Sequence, residues 1–211
     1  MYRGLLPPVI LTLVVGYLLV LGASNRTLRW FFKPAPIVLL IVLAAGSKTP
    51  DTGYKSLLVA GLTASVLGDV FLLELKGRWF MAGLSSFLIA QVLYFSAFLT
   101  RARFGVITIV VLVAIGLYTI LLLRGLQPGV RAAGGQTLWK AVIAYTAAIS
   151  LMVLAAASGS DWRATTGALL FYASDSLLAW DRFVRRFGWA EYGVMVTYYA
   201  AQFLIVSSIN Q

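Results

Sequence analysis

The chain is 211 residues long, 61% hydrophobic and only 11% charged, with 17 Lys and Arg against seven Asp and Glu. A soluble domain is nearer half apolar and a quarter charged, so this composition excludes an ordinary globular domain and points to an integral membrane protein. With no cysteine and no histidine, disulfides, thiolate chemistry, Cys/His metal sites and a histidine acid–base group are excluded, and no metal or cofactor is expected.

A backbone in lipid must be helical or form a closed barrel. The apolar runs are long, unbroken and non-alternating, which selects helices. In chain order the sequence predicts eight: 7–24, 34–46, 56–74, 79–99, 104–123, 137–158, 163–180 and 191–208. The first resembles a signal peptide in its apolar run. Its leading region holds only Arg3, however, and Arg26 and Arg29 follow it, which favours a retained helix with its N-terminus outside. The second is short and is expected to extend at one end. The linkers SKTPDTG, LKGR, LQPGV and SGSD carry turn chemistry, and none is long enough for a soluble domain. Residues 1–211 are therefore expected to form one transmembrane domain.

A net charge of +10 would suggest nucleic acid in a soluble protein. Here the bases sit in short loops, where they set topology and meet anionic headgroups, so membrane lipids and not nucleic acid are the expected contacts. Eleven bases follow helices one, three, five and seven: Arg26, Arg29, Lys33, Lys76, Arg78, Arg124, Arg131, Lys140, Arg182, Arg185 and Arg186. Six lie on the opposite side: Arg3, Lys48, Lys55, Arg101, Arg103 and Arg163. The richer side is expected to be cytoplasmic, with both termini outside a bacterial inner (plasma) membrane.

Within the helices a pattern repeats. AQVLYFS (90–96) and AQFLIVS (201–207) share A-Q-x-L-x-x-S, in the fourth and eighth segments. Asp69 lies in the third segment and Asp175 in the seventh. Lys33 precedes Asp69 by 36 residues, and Lys140 precedes Asp175 by 35. Base, acid and amide thus recur in order, and an even number of helices per half predicts two parallel four-helix repeats, about 1–103 and 104–211. At 1.5 Å rise per residue, Asp69 and Asp175 lie roughly 7 Å below the cytoplasmic boundary, and Gln91 and Gln202 roughly 16 Å deep. Such a column of polarity suits an amphiphile with its headgroup at that surface.

Acids inside a membrane are costly and mark function. Asp69 and Asp175 also admit a structural role, each bonding a nearby Ser, Tyr or backbone amide. Two equivalent carboxyls with no base at their depth favour the functional role, as a general acid and a general base. Gln91 and Gln202 bridge helices or contact substrate. Lys33 and Lys140 anchor helix ends by snorkelling or bind phosphate. Tyr94, Tyr145, Tyr172, Tyr198 and Tyr199 are candidates to line a cavity, and Ser174 stands beside Asp175. Glu74, Asp181 and Glu191 read as solvated boundary charges. Trp30, Trp79, Trp139, Trp180 and Trp189 form an aromatic belt. No Walker loop or GxSxG elbow occurs, and helices seven and eight lack the mid-helix lysine of a retinal protein.

FKPAPIVLL (32–40), LGDVFLL (67–73), FMAGLSSF (80–87) with AQVLY, GALLFYASDSLL (167–178) and YYAAQFLIV (198–206) follow one another across almost the whole chain. In this order they resemble the YhhN-like family, the lysoplasmalogenases. The resemblance implies a polytopic helical hydrolase that cleaves the vinyl ether of a lysophospholipid, a lysoplasmalogen, into a fatty aldehyde and a glycerophospho-base. It implies that Asp69 and Asp175 are the catalytic acids, and Lys33 matches the family's K-P motif. With Lys33, the candidate substrate-binding set is Gln91, Tyr94, Lys140, Tyr172, Ser174, Tyr198 and Gln202. One departure stands out: family members often carry His at the position of Gln91, and some at that of Gln202. A proton-moving His would be missing here, whereas a substrate-bonding one is replaceable by Gln.

Vinyl ether cleavage needs a carboxylic acid to protonate the β-carbon and a carboxylate to stabilise the oxocarbenium ion and steer water. The residues leave open which aspartate does which. Two rival readings remain: a small-molecule or lipid transporter or lipid-binding membrane protein, since parallel repeats with midplane polar groups also describe transporters, and an inactive family member.

Overall fold

A computed structural model describes residues 6–23, 26–74 and 77–210. Arg3 and Lys76, two of the bases counted above, and the first two residues of the LKGR linker lie outside them, as does the side chain of Arg26. Among the described residues the chain is helical throughout. Its elements are α1 (Leu6–Ala23), α2 (Arg26–Phe32), α3 (Ala35–Ala45), α4 (Thr52–Phe71), α5 (Gly77–Leu99), α6 (Val106–Ala157), α7 (Trp162–Phe183), α8 (Ala190–Ser207) and a closing 3-10 turn, Ser208–Asn210.

The second expected segment does extend, through α2. Pro34 and Pro36 lack N–H groups, so the chain breaks at Lys33–Pro34 before α3 starts. The fifth and sixth segments are joined differently from the expectation. LQPGV does not form the turn, because Pro128 lies inside α6 and the helix runs on past it. The reversal falls at Gly134–Gly135, where Gly135 adopts φ +61°, a left-handed conformation natural to glycine. Packing holds the stretch around Pro128 helical: Gly129 lies so close to α7 that an added Cβ would sit 1.7 Å from the Phe183 carbonyl oxygen. α6 is thus a hairpin with arms 106–133 and 136–157. Thr119 Oγ1 meets Ser150 Oγ across it at 2.9 Å, and Ser158 Oγ donates to Thr108 Oγ1 at 3.2 Å.

Five stretches are long and apolar enough to cross a membrane: Thr27–Ala45, Thr52–Phe71, Gly77–Leu99, Val106–Ala157 and Ala190–Asn210. The protein is a helical membrane protein, while the eight separate spans expected are not reached by this measure. α6 counts once although it has two arms, and the described apolar part of α1, Pro8–Leu21, is short. α7 is absent because it is the polar helix of the set, carrying Asp175, Asp181 and Arg182. The start of the first arm of α6 is strongly apolar and mostly turned outward, with Val106, Ile107 and Val113 exposed by 77%, 71% and 65%, while its later residues Leu122, Leu126 and Val130 are buried.

α4 packs most extensively on α5, and α7 on α8. Small residues permit both approaches, as expected where lipid provides no hydrophobic drive between helices. A Cβ on Gly61 would lie 2.3 Å from the Tyr94 ring, and one on Gly167 would lie 3.0 Å from the Ala201 carbonyl oxygen. Two ends result. One gathers Lys33, the α4–α5 connection, the Gly134–Gly135 turn and the α7–α8 connection, tied by Arg29–Glu191 at 3.4 Å and Phe80 against Phe183. The other gathers Asp51, Arg101, Ser158 and Ser208. There Asp51 caps α4 by accepting from the Tyr54 N–H at 3.0 Å, and its other oxygen accepts from Arg101 Nε at 3.0 Å. The Tyr54 N–H, ahead of the Arg101 guanidinium, holds the Asp51 carboxyl below its ordinary range.

Candidate active site

Asp69 lies near the C-terminal end of α4, directly after Gly68. A side chain on Gly68 would strike the Phe87 ring at 2.6 Å, so its absence lets Phe87 close over the backbone next to Asp69. Phe87, Phe171 and Tyr198 pack edge to face at 5.7–6.1 Å between centroids. This apolar cluster carries the Tyr198 hydroxyl to Asp69 Oδ2, to which it donates at 2.9 Å. Asp69 is 2% exposed.

Asp175 sits in the second half of α7. Its Oδ2 accepts from the Tyr145 hydroxyl of α6 at 2.6 Å and from Gln91 Nε2 of α5 at 3.0 Å. Among the described residues Oδ1 of Asp175 takes no hydrogen bond, and Gln91 Oε1 is buried without a partner. An ordinary hydrogen bond contributes about 0.5–1.5 kcal/mol, and these donors hold each carboxyl in place.

Both aspartates line one cavity of about 150 Å³. Lys33, Ser174, Tyr198, Asp181 and Glu191 line it too. Lys33 is buried at the α2–α3 break, where its carbonyl accepts from the Tyr199 hydroxyl at 2.8 Å. Ser174 donates to the Val194 carbonyl at 2.9 Å, binding α7 to α8 beside the cavity. A second, apolar cavity of about 60 Å³ opens between α5, α6 and α7, and Tyr172 and Asp175 are among its lining.

The two amides sit deeper and behave differently. Gln91 reaches Asp175 directly. Gln202 is fully buried, donating to Ser65 Oγ at 3.0 Å and accepting from the Tyr94 hydroxyl at 2.7 Å. Gln202 and Tyr94 therefore support the wall, one turn from Asp69, and line neither cavity. Tyr172 is held by Thr119 at 2.8 Å. Lys140 is exposed on the second arm of α6 and reaches neither cavity. Its spacing to Asp175 copies that of Lys33 to Asp69, but the turn at Gly134–Gly135 puts it on the outside.

Sequence reasoning left Tyr145 as one of several cavity tyrosines and set Asp181 and Glu191 aside as solvated charges. Tyr145 holds Asp175, and the two acids line the cavity mouth. Nothing in the spacing marks Tyr145. Depth places Asp181 and Glu191 at the boundary but does not show that they line a cavity. Among the described residues no group of three or more acidic side chains is placed to hold a metal ion. Chemically, the arrangement offers a buried carboxyl at Asp69 and a partly buried one at Asp175, each hydrogen-bonded on one oxygen, beside the buried Lys33. Paired carboxyls of this kind can serve as a general acid and a general base.

The YhhN family model matches residues 28–209. Lysoplasmalogenase TMEM86B of Sus scrofa is 34% identical over 183 residues, covering 85% of this chain and 74% of the relative. The human protein of the same name is 32% identical over 209 residues, covering 96% and 85%. The membrane protein YhhN of Escherichia coli O157:H7 is 29% identical over 191 residues, covering 86% of each chain. No solved structure matches. The match spans α4, α5, α7 and α8, the helices that carry both aspartates and both amides, and the chain belongs to the YhhN family.

Proposed function

We propose that this protein is a lysoplasmalogenase. It hydrolyses the vinyl ether of a lysoplasmalogen to a fatty aldehyde and a glycerophospho-base, using Asp69 and Asp175 as an intramembrane acid–base pair. The observation that carries this reading is that two carboxyls and a lysine, far apart in sequence, line a single cavity. The names of the mammalian relatives supply the substrate class. Lys33 binds the phosphate, and Tyr198 and Ser174 shape the wall. Gln91 takes the place of the family's frequent His as a donor to Asp175; it orients the carboxyl without carrying a proton.

The chain spans the plasma membrane eight times on this reading. α2 and α3 act as one crossing, the arms of α6 as two, and both termini face outside. The halves are parallel repeats that exchange amides. Gln91 of the first reaches the acid helix of the second, and Gln202 of the second reaches Ser65, one turn from Asp69.

The test is purified protein in detergent given lysoplasmenylethanolamine and assayed for aldehyde. Aldehyde formation, lost in Lys33→Ala at low substrate and restored at high substrate, is the expected result. Lipid that is bound and recovered intact would favour the transporter reading.

A further inference from the structure

The two cavities meet at one acid. Leu72, Phe87, Asp175 and Leu178 line both, and of these only Asp175 is polar. Asp69 and Lys33 line the polar cavity alone. The remaining wall of the other cavity is largely aliphatic and aromatic, Leu122, Leu126, Val142 and Ile149 among it. A lysoplasmalogen has the same division. Its phosphate and glycerol are polar, its chain is apolar, and the vinyl ether joins them. With the phosphate at Lys33 and the chain in the apolar cavity, the double bond lies at Asp175. Its β-carbon, on the chain side, points away from Asp69, and the ether oxygen points toward it.

Resting on the hydrolase reading above, we propose that Asp175 is the proton donor to carbon and Asp69 the base that activates water. Tyr145 and Gln91 both donate to Oδ2 of Asp175, so the transferable proton sits on Oδ1. The Oδ1–H bond breaks as the π pair of the vinyl ether takes the proton at the β-carbon, leaving an oxocarbenium ion and the Asp175 carboxylate. Water attacks the α-carbon while Asp69 accepts its proton. The hemiacetal then collapses: Asp69 returns that proton to the departing glycerol oxygen, and the hemiacetal O–H gives its proton to Asp175. Aldehyde and alcohol leave, and both carboxyls regain their starting states.

The experiment compares pH profiles of the wild type, Asp69→Asn and Asp175→Asn, with azide or formate added to the corresponding Ala variants. Asp175 is faced by Tyr145 from α6 and by Tyr172 and Arg182 from its own helix; Asp69 is faced by Tyr198 and Glu191 from α8 and by Lys33. Only changes at the two aspartates should remove a limb of the profile. We expect residual activity of Asp175→Asn to lose its alkaline limb and that of Asp69→Asn its acidic limb. The small nucleophile should rescue Asp69→Ala and not Asp175→Ala. Swapped limbs or swapped rescue, with an active wild type, overturn the assignment alone. No aldehyde from wild type that still binds a saturated alkyl-ether lysolipid overturns the hydrolase reading and the assignment with it. Val142→Phe gives an independent check on the chain's position, because it narrows the apolar cavity and should shift preference toward shorter chains. An unchanged chain-length profile overturns the placement of the double bond.

Discussion

The two ends of the helical bundle use the same kinds of residue to opposite effect. At the Asp51 end Arg101 is held from several sides. Arg101 donates to Asp51 and to the Ser208 carbonyl, both at 3.0 Å, and lies over the Tyr54 ring at 3.6 Å. Tyr54 in turn meets the Ser208 hydroxyl at 2.6 Å. The result ties the start of α4 and the end of α5 to the end of α8. At the Lys33 end, two carboxyls are each gripped by one oxygen, and both line a cavity of about 150 Å³. Charge that is fully partnered acts as a fastening; charge whose remaining valence faces a cavity is available for chemistry.

The contrast breaks most plainly on the aspartates themselves. Asp69→Asn and Asp175→Asn should each lower aldehyde release by about 10²–10⁴-fold while thermal stability in detergent holds. Arg101→Ala should do the reverse. It leaves the Ser208 carbonyl unpaired and should cost about 2 kcal/mol of stability, read as a lower Tm, with the specific activity of the folded protein retained. Stability loss from the aspartate variants without activity loss would erase the distinction between the ends.

Smaller changes sharpen it. Tyr145→Phe keeps the ring and removes one donor to Asp175; a drop of about tenfold in kcat is expected, the equivalent of roughly 1.4 kcal/mol. Lys33→Ala should raise KM, whereas Lys140→Ala should leave both constants unchanged; a matching rise in KM for Lys140→Ala would restore the symmetric role its spacing suggested. The smallest effect concerns pH. The Asp51 carboxyl is held below its ordinary range in the folded protein, so its contribution to stability is full above the unfolded value of about 3.9. It is lost as pH falls through the folded value. Tm should therefore fall on acidification below about pH 4, and less so in Asp51→Asn. An equal fall in that variant would remove Asp51 as the cause.

Helices this long and apolar make the gross architecture legible, and the positions of Asp69, Asp175, Gln91 and Gln202 follow because depth along a helix is simple arithmetic. Rotation about the helix axis is not. Tyr145 lies on an arm whose apolar residues cover most of its circumference, so no period in the sequence says that its hydroxyl turns toward Asp175. Lys140 fails for a related reason: sequence spacing measures distance along the chain, and the turn lies at Gly134–Gly135, not at LQPGV. Asp181 and Glu191 stand at the boundary, where depth alone does not separate bulk water from a cavity mouth.

The outward-facing first arm of α6 has a consequence for how such chains diverge. With Val106, Ile107 and Val113 turned away from the protein, the fatty interior of the membrane is their only judge. Any greasy residue satisfies it, so substitution on this face should be tolerated where substitution at the contacts among α4, α5, α7 and α8 is not. A library that randomises the exposed Val106, Ile107, Ile109, Val110, Leu112 and Val113 among Leu, Ile, Val and Phe should retain nearly all its active members, and a single Asp there should remove its bearer at the stage of insertion. Thr108, which accepts from Ser158, and Thr119, which bonds Ser150 and Tyr172, lie outside that freedom.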